Sequence, residues 1–246
     1  MSPSGGSFVT EALLLRSTDR GEDDRSVVLL TPGHGRVAAL AKRARGSRKR
    51  FGAALQAFCL FEAALRPRGG GLVFLENATA REFPLGMEPD WEGMASGWLF
   101  LDLADALATA GTSHPEFFEL VLGGLRRLGK GGEAPAAVRL SVLWGALAQA
   151  GWAPDLERCV ACGSQGPWQG LALDPARGLL CPRCRRAPLA ALDSGALEQW
   201  RCAAAGRPIA APTPEAEQGL LLWAEHHAGR ALRSASLVPG ALRGAA

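Results

Sequence analysis

The chain has 246 residues, 48% of them hydrophobic, and a formal net charge of +3, so it can bury a sizeable core and divide into two or three domains. The N-terminal segment carries no basic residue before Arg16, and no uninterrupted apolar run approaches the eighteen residues of a membrane span, which argues against a secretory leader and a membrane helix. The expected compartment is the cytoplasm. Charge is uneven along the chain: residues 1–80 are net +5, 81–158 net −5 and 159–246 net +3. Arg outnumbers Lys twenty-four to three, a bias that reflects base composition before function.

The first eighty residues read as a small β-domain. Phe8–Arg16, Arg25–Thr31, Arg36–Lys42, Ala53–Leu65 and Leu72–Asn77 are apolar or β-branched stretches, separated by turn chemistry such as Pro32-Gly33-His34-Gly35 and Arg66-Pro67-Arg68-Gly69-Gly70-Gly71. Four or five short strands in this length suit an OB-type five-stranded barrel. An SH3-like barrel would produce much the same pattern. Seven cations, Arg36, Lys42, Arg43, Arg45, Arg48, Lys49 and Arg50, lie between positions 36 and 50 with no acid among them. Such a run on a barrel loop is either a solvated charged loop or a surface for phosphates, with binding that weakens as salt rises. Phe51 and Phe58 could stack on bases or belong to the barrel core. Asp19, Glu22, Asp23 and Asp24 form an acidic cluster, and Gly21 among them marks a turn rather than a metal-dependent nuclease site.

From Trp91 the apolar period changes to three and four residues. Helices are expected from Trp91 to Leu107, from Pro115 to about Leu128 with Ser113 as N-cap, from Pro135 to Gln149, from Ser194 to Ala204 and from Glu215 to Arg233. Between the third and fourth, Cys159-Val160-Ala161-Cys162 is followed after eighteen residues by Cys181-Pro182-Arg183-Cys184. Two Cys-x-x-Cys knuckles at this separation are the pattern of a four-thiolate zinc ribbon, and four thiolates leave no open position for water or substrate. The expected metal is one structural Zn²⁺. Disulfides are the competing reading, and a reducing compartment disfavours them. Arg183, Arg185 and Arg186 form a second, smaller basic cluster. Cys59 and Cys202 read as small buried side chains, His34 as a turn residue, and His226-His227 as a half-exposed helical feature.

The fold class is thus α+β multidomain: an N-terminal OB-type β-barrel (1–80), an α-helical domain (81–158), an inserted four-cysteine zinc ribbon (159–190) and a C-terminal continuation of the helical domain (191–246). Enzymatic signatures are missing: the sequence contains no phosphate loop, dinucleotide fingerprint, nucleophile elbow or His-Glu-x-x-His. It also contains no Tyr, which excludes tyrosine-based strand transfer.

Several segments together resemble the RecO recombination mediators of bacterial DNA repair. They are Gly21-Glu22-Asp23-Asp24-Arg25, Leu30-Thr31-Pro32-Gly33-His34-Gly35-Arg36-Val37, Ala41-Lys42 and Leu55-Gln56-Ala57-Phe58 in the first part of the chain. Pro115-Glu116-Phe117-Phe118-Glu119-Leu120, Gly151-Trp152-Ala153-Pro154, Cys159-Val160-Ala161-Cys162-Gly163 and Gly178-Leu179-Leu180-Cys181 follow in order. The resemblance implies a non-enzymatic, nucleoid-associated protein that binds single- and double-stranded DNA and anneals complementary strands. It also implies work with RecR, and with RecF in some settings, to load RecA onto DNA coated by single-stranded-DNA-binding protein. Arg36, Lys42 and Arg43 become the implied DNA contacts, with Arg45, Arg48, Lys49 and Arg50 added by charge. Cys159, Cys162, Cys181 and Cys184 become the zinc ligands, supporting the fold rather than the activity. The competing reading is a protein scaffold whose contact with DNA is incidental.

Overall fold

The computed structural model describes residues 6–47, 49–86, 90–168, 170–186 and 189–238. The chain forms two compact units, one of residues 1–90 and 104–130, the other of residues 91–103 and 131–246. Arg48, one of the expected DNA contacts, lies outside the described residues.

The first unit is built on five strands, β1 (Phe8–Arg20), β2 (Asp24–Thr31), β3 (Gly35–Ala41), β4 (Leu60–Pro67) and β5 (Val73–Glu82). They close in the order β1-β2-β3-β5-β4. All pairings are antiparallel except the β3–β5 seam, where Leu40 meets Phe74 in parallel. This is the OB-type arrangement. β1 serves two neighbours: Phe8 to Leu13 pair with β4, Leu13 to Arg20 pair with β2, and an irregularity between Leu14 and Arg16 falls at the change of partner. A bulge there adds the twist that lets one strand curl from one neighbour to the next.

Side-chain alternation fills the barrel with Ala12, Leu14, Val27, Leu29, Ala39, Phe61, Ala63, Leu65 and Leu75. Leu13, Leu15, Val28 and Leu30 point the other way and are buried as well. Their cover includes helix α2 (Pro115–Lys130), which lies against β2. Burial on both faces explains why residues 12–15 of β1 and 27–30 of β2 read as unbroken apolar runs.

Strand bounds differ from the sequence reading: β1 runs on to Arg20 rather than Arg16, and β5 to Glu82 rather than Asn77. The fourth strand begins at Leu60, not Ala53, and residues 51–58 form successive turns, with the Ala54 N–H donating to the Phe51 carbonyl (2.8 Å) and that of Gln56 to the Ala53 carbonyl (3.1 Å). Phe51, Ala54, Leu55 and Phe58 are buried, and their spacing of three and four residues is that of a coiled segment presenting one side to a core, not of a strand. The hydroxyl of Ser113, just ahead of α2, donates to the Pro32 carbonyl at 3.4 Å.

The second unit holds the first part of α1 (Trp91–Leu107), then α3 (Pro135–Gln149), a three-stranded sheet in the order β7-β6-β8, α4 (Ser194–Ala204) and α5 (Pro214–Ala228). β6 is Leu171–Asp174, β7 Gly178–Leu180 and β8 Ala190–Leu192. Asp193 caps α4 by accepting the Ala196 N–H (2.6 Å), and Thr213 caps α5 by accepting that of Ala216 (3.3 Å). α5 stops at Ala228 rather than Arg233 because Gly229 adopts φ 65° and closes the helix in the left-handed region. α3 carries a charge in an apolar setting. Arg139 is 1% exposed, and its guanidinium grips Glu217 on α5 (2.5 and 3.1 Å), Ser96 (2.9 Å) and Glu92 (3.1 Å) on α1.

Candidate nucleic-acid interface and metal centre

The basic run occupies the start of the connection from β3 to β4. Lys42, Arg43, Arg45 and Lys49 are exposed and Arg50 is half-buried. The acidic β1–β2 hairpin holds this turn in place. The Arg43 N–H donates to Asp24 Oδ1 (2.8 Å), the Arg45 N–H to the Asp23 carbonyl (3.2 Å) and the Arg45 guanidinium to the Glu22 carbonyl (3.2 Å). Asp19 pairs with Arg25 at 3.1 Å and Arg45 at 3.8 Å. The acids thus serve as an anchor for the cationic turn, and the backbone of Arg43 takes a positive φ of 52° to meet it. Arg50 closes the turn from the other end, donating to the Lys42 carbonyl (2.6 Å) and Ser47 Oγ (3.2 Å) while lying over the Phe51 ring. Among the described residues, the Arg43 guanidinium and the Lys42 and Lys49 ammonium groups make no ion pair with a carboxylate. Phe51 and Phe58 are 3% and 7% exposed, so they pack inside.

Arg36 does not join this group. It sits at the opposite end of β3, where its guanidinium bonds Asp105 Oδ1 (3.1 Å) and its N–H donates to the Thr109 carbonyl (3.2 Å). The same corner carries the Pro32–Gly35 turn: the Gly111 N–H donates to the His34 carbonyl (3.0 Å) and the His114 N–H to that of Pro32 (3.0 Å). Gly35 has φ 57°, and a Cβ there would lie 2.3 Å from the Thr109 carbonyl oxygen. Only glycine permits that approach. His34 stacks on Phe8 with centroids 4.3 Å apart, a structural role.

Two arginines that composition marked only as turn residues come near the cationic turn. The Lys42 ammonium lies 5.1 Å from the centre of the Phe74 ring, with the guanidinium groups of Arg68 at 5.7 Å and Arg66 at 6.0 Å. β-strand pairing places Arg66 opposite Phe74, and the parallel seam places Leu40 beside it. Pairing between strands distant in sequence is what a linear reading of charge density lacks.

In the second unit the two knuckles converge. The Sγ atoms of Cys159, Cys162, Cys181 and Cys184 lie within 4.8 Å of one another, and those of Cys162 and Cys181 are 3.8 Å apart. Tetrahedral Zn–S bonds of about 2.3 Å set sulfurs about 3.8 Å apart, whereas a disulfide needs about 2.05 Å; the thiols are free. Each knuckle is a hydrogen-bonded turn: Gly163 N–H to Cys159 O (2.8 Å) in the first, Cys184 N–H to Cys181 O (3.0 Å) in the second. They are joined by the Val160 N–H to the Leu179 carbonyl (3.0 Å). Gly178 makes that contact possible, since a Cβ there would fall 2.8 Å from Val160 Cγ1.

Burial pushes the Cys159 thiol up, yet the N–H groups of Cys181, Ala161 and Cys162 outweigh it and bring it down to about 6. Cys181 is likewise raised by burial and drawn down overall by N–H donors from Arg183 and Cys184. Cys184 is pushed up to about 12 by sharing hydrogen bonds with the thiols of Cys162 and Cys181. N–H groups aimed at sulfur favour thiolates, and the set fits a thiophilic divalent ion that displaces the remaining protons. Beside the knuckles, Arg177, Arg183 and Arg186 line a cavity of about 600 Å³ with Leu180 and Leu189.

The single cysteines divide. Cys59 is fully buried and its thiol is pushed up to about 11 by that burial, while Cys202 is half-buried on α4 rather than enclosed. His227 packs between the rings of Trp152 and Trp223, its Nδ1 2.9 Å from the Trp223 carbonyl.

The fold and its two sites define an OB-type barrel protein with a helical unit that carries a four-thiol ribbon. The family described as "Recombination protein O N terminal" matches residues 6–83, and "Recombination protein O C terminal" matches residues 88–236. The chain belongs to the recombination protein O family. It is 38% identical over 235 residues to a protein of Anaeromyxobacter sp. (strain K) named DNA repair protein RecO, covering 89% of this chain and 91% of that one. Proteins of the same name from Streptomyces griseus (32% over 185 residues, covering 72% and 74%) and Bifidobacterium longum (30% over 237 residues, covering 93% and 97%) are also similar.

Proposed function

We propose that this protein is a non-enzymatic mediator of recombinational DNA repair that binds single- and double-stranded DNA and anneals complementary strands. The observation that carries the reading is the exposed cationic turn of Lys42, Arg43 and Lys49 on an OB-type barrel, free of carboxylate partners among the described residues. The name shared by the similar proteins supports a role in repair. Two strands repel through their phosphates; a cationic surface that contacts both lowers this repulsion and raises their local concentration, and base pairing does the rest. No catalytic side chain is required. Partners on this reading are RecR, RecF, single-stranded-DNA-binding protein and the RecA filament being loaded, at the nucleoid in the cytoplasm.

Arg45 and Arg50 contribute charge while their guanidinium groups hold the turn, and Arg36 acts through Asp105 on the barrel rather than on phosphate. Cys159, Cys162, Cys181 and Cys184 hold one Zn²⁺, whose role is to fix the ribbon. The test is binding of a fluorescent single strand across a salt series, repeated with complementary strands to follow annealing. Three to six phosphate contacts give a log–log salt slope of roughly −2 to −4, and annealing accelerates. Neutralising Lys42, Arg43 and Lys49 together abolishes binding without unfolding. Absence of binding at low salt would overturn the DNA reading and leave an adaptor between proteins.

A further inference from the structure

We propose that Phe74 is a base-stacking platform for single-stranded nucleic acid, with Lys42, Arg66 and Arg68 taking the flanking phosphates. The inference rests on the nucleic-acid reading of the neighbouring turn and extends it to a site on β5 and the β4–β5 turn. Phe74 lies on the outer side of β5, half-buried, between the inward-facing Val73 and Leu75. An aromatic ring on the solvent side of a strand gains nothing from the barrel core. Three cations from two stretches of chain, Lys42 after β3 and Arg66 and Arg68 at the end of β4, converge on it, at 5.1, 6.0 and 5.7 Å from its centre. Cation–π contacts occur about once per 70–80 residues, so three on one ring need a reason.

The charge balance supplies a second argument. Among the described residues only Arg66 of the three has a carboxylate partner, Glu76. Lys42 and Arg68 face the ring and each other's charge without one. A cluster of net positive charge about a π face is the complement of a nucleotide, which offers a flat base and an anionic phosphate a few ångströms apart. The flexible stems of Lys42 and Arg68 can swing from the ring to phosphate as a base arrives. A duplex keeps the faces of its bases stacked inside and out of the ring's reach, so the ring discriminates in favour of single strands.

The test uses the full chain, a labelled single strand and the corresponding duplex, with 2-aminopurine in the single strand to report stacking. Phe74→Ala and Phe74→Leu, the latter keeping apolar bulk without a π face, are expected to weaken single-strand binding roughly 5- to 100-fold. Duplex binding and the salt slope stay unchanged, Phe74→Trp retains affinity, and 2-aminopurine quenching is lost with Ala and Leu. Arg68→Gln instead lowers the salt slope by about one phosphate's contribution, roughly 0.7. Undiminished single-strand affinity in Phe74→Leu overturns the platform, as does an equal loss for single strand and duplex, which would make the ring a support for the cations. A wild-type protein that binds neither form would instead overturn the DNA reading beneath it, so the two failures are distinct.

Discussion

At the scale of single residues, Arg139 and Glu217 show how a charge is accommodated in an apolar helix packing. The guanidinium is satisfied on three sides, by Glu217, Ser96 and Glu92. Removing one partner of such a buried pair strands the other, so Arg139→Ala should cost about 3–5 kcal/mol, whereas a double replacement of Arg139 and Glu217 by apolar residues of similar volume should cost far less. Urea denaturation of the two variants measures the difference. Glu82 gives a pH signature. Its carboxyl is held below the ordinary value of 4.5, first by the hydrogen bond from Arg126, with burial opposing. A carboxylate lowered in the folded state stabilises above its unfolded pKa and ceases to do so as pH falls through the folded value. Glu82→Gln should therefore be less stable than wild type near neutrality, with the gap closing below about pH 4, as read from melting temperatures across a pH series.

At the scale of elements, the cationic turn and the β2–β3 turn behave as parts held by partners far away in sequence. Gly35→Ala should open the corner where the β2–β3 turn meets residues 109–114, because the Thr109 oxygen that would stand 2.3 Å from the new Cβ belongs to the backbone and cannot give way cheaply. A loss of about 2 kcal/mol or more, typical of strain at a left-handed glycine site in close contact, is expected in thermal unfolding. Asp24→Ala should leave the barrel intact but free the turn it anchors through the Arg43 N–H. Faster hydrogen exchange confined to residues 42–46 would report that change. The strand and helix cores are legible in the sequence, since alternation in β3 and β5 and the three-to-four period of α2 each follow from one buried face. Residues 51–58 are harder to read: their apolar content fits a strand, and only the three- and four-residue spacing of the buried Phe51, Ala54, Leu55 and Phe58 separates these turns from one.

At the scale of the whole molecule, the ribbon is a small element with little core of its own beyond Cys159, Leu180, Cys181 and the side chains around them. Metal binding is therefore expected to supply its folding free energy. Chelation, or Cys159→Ser, should release about one Zn²⁺ per chain, measured by metal analysis. It should also make residues 156–192 sensitive to protease while the barrel strands stay protected; an equally resistant metal-free protein would contradict the structural role.

What the sequence by itself determined is what depends on local spacing. The Cys-x-x-Cys pairs, the turn residues of the barrel, the helix periods and the density of cations between positions 36 and 50 are properties of neighbours along the chain, and one buried face or one tetrahedral ion suffices to demand them. Only the tertiary structure decided how those cations divide. β3 carries Arg36 to one end, where Asp105 takes it, and Lys42 to the other, where strands distant in sequence bring Arg66, Arg68 and Phe74 beside it. The physical reason is that charge and aromatic contacts act across space with no period to betray them, and barrel closure alone sets which side chains become neighbours.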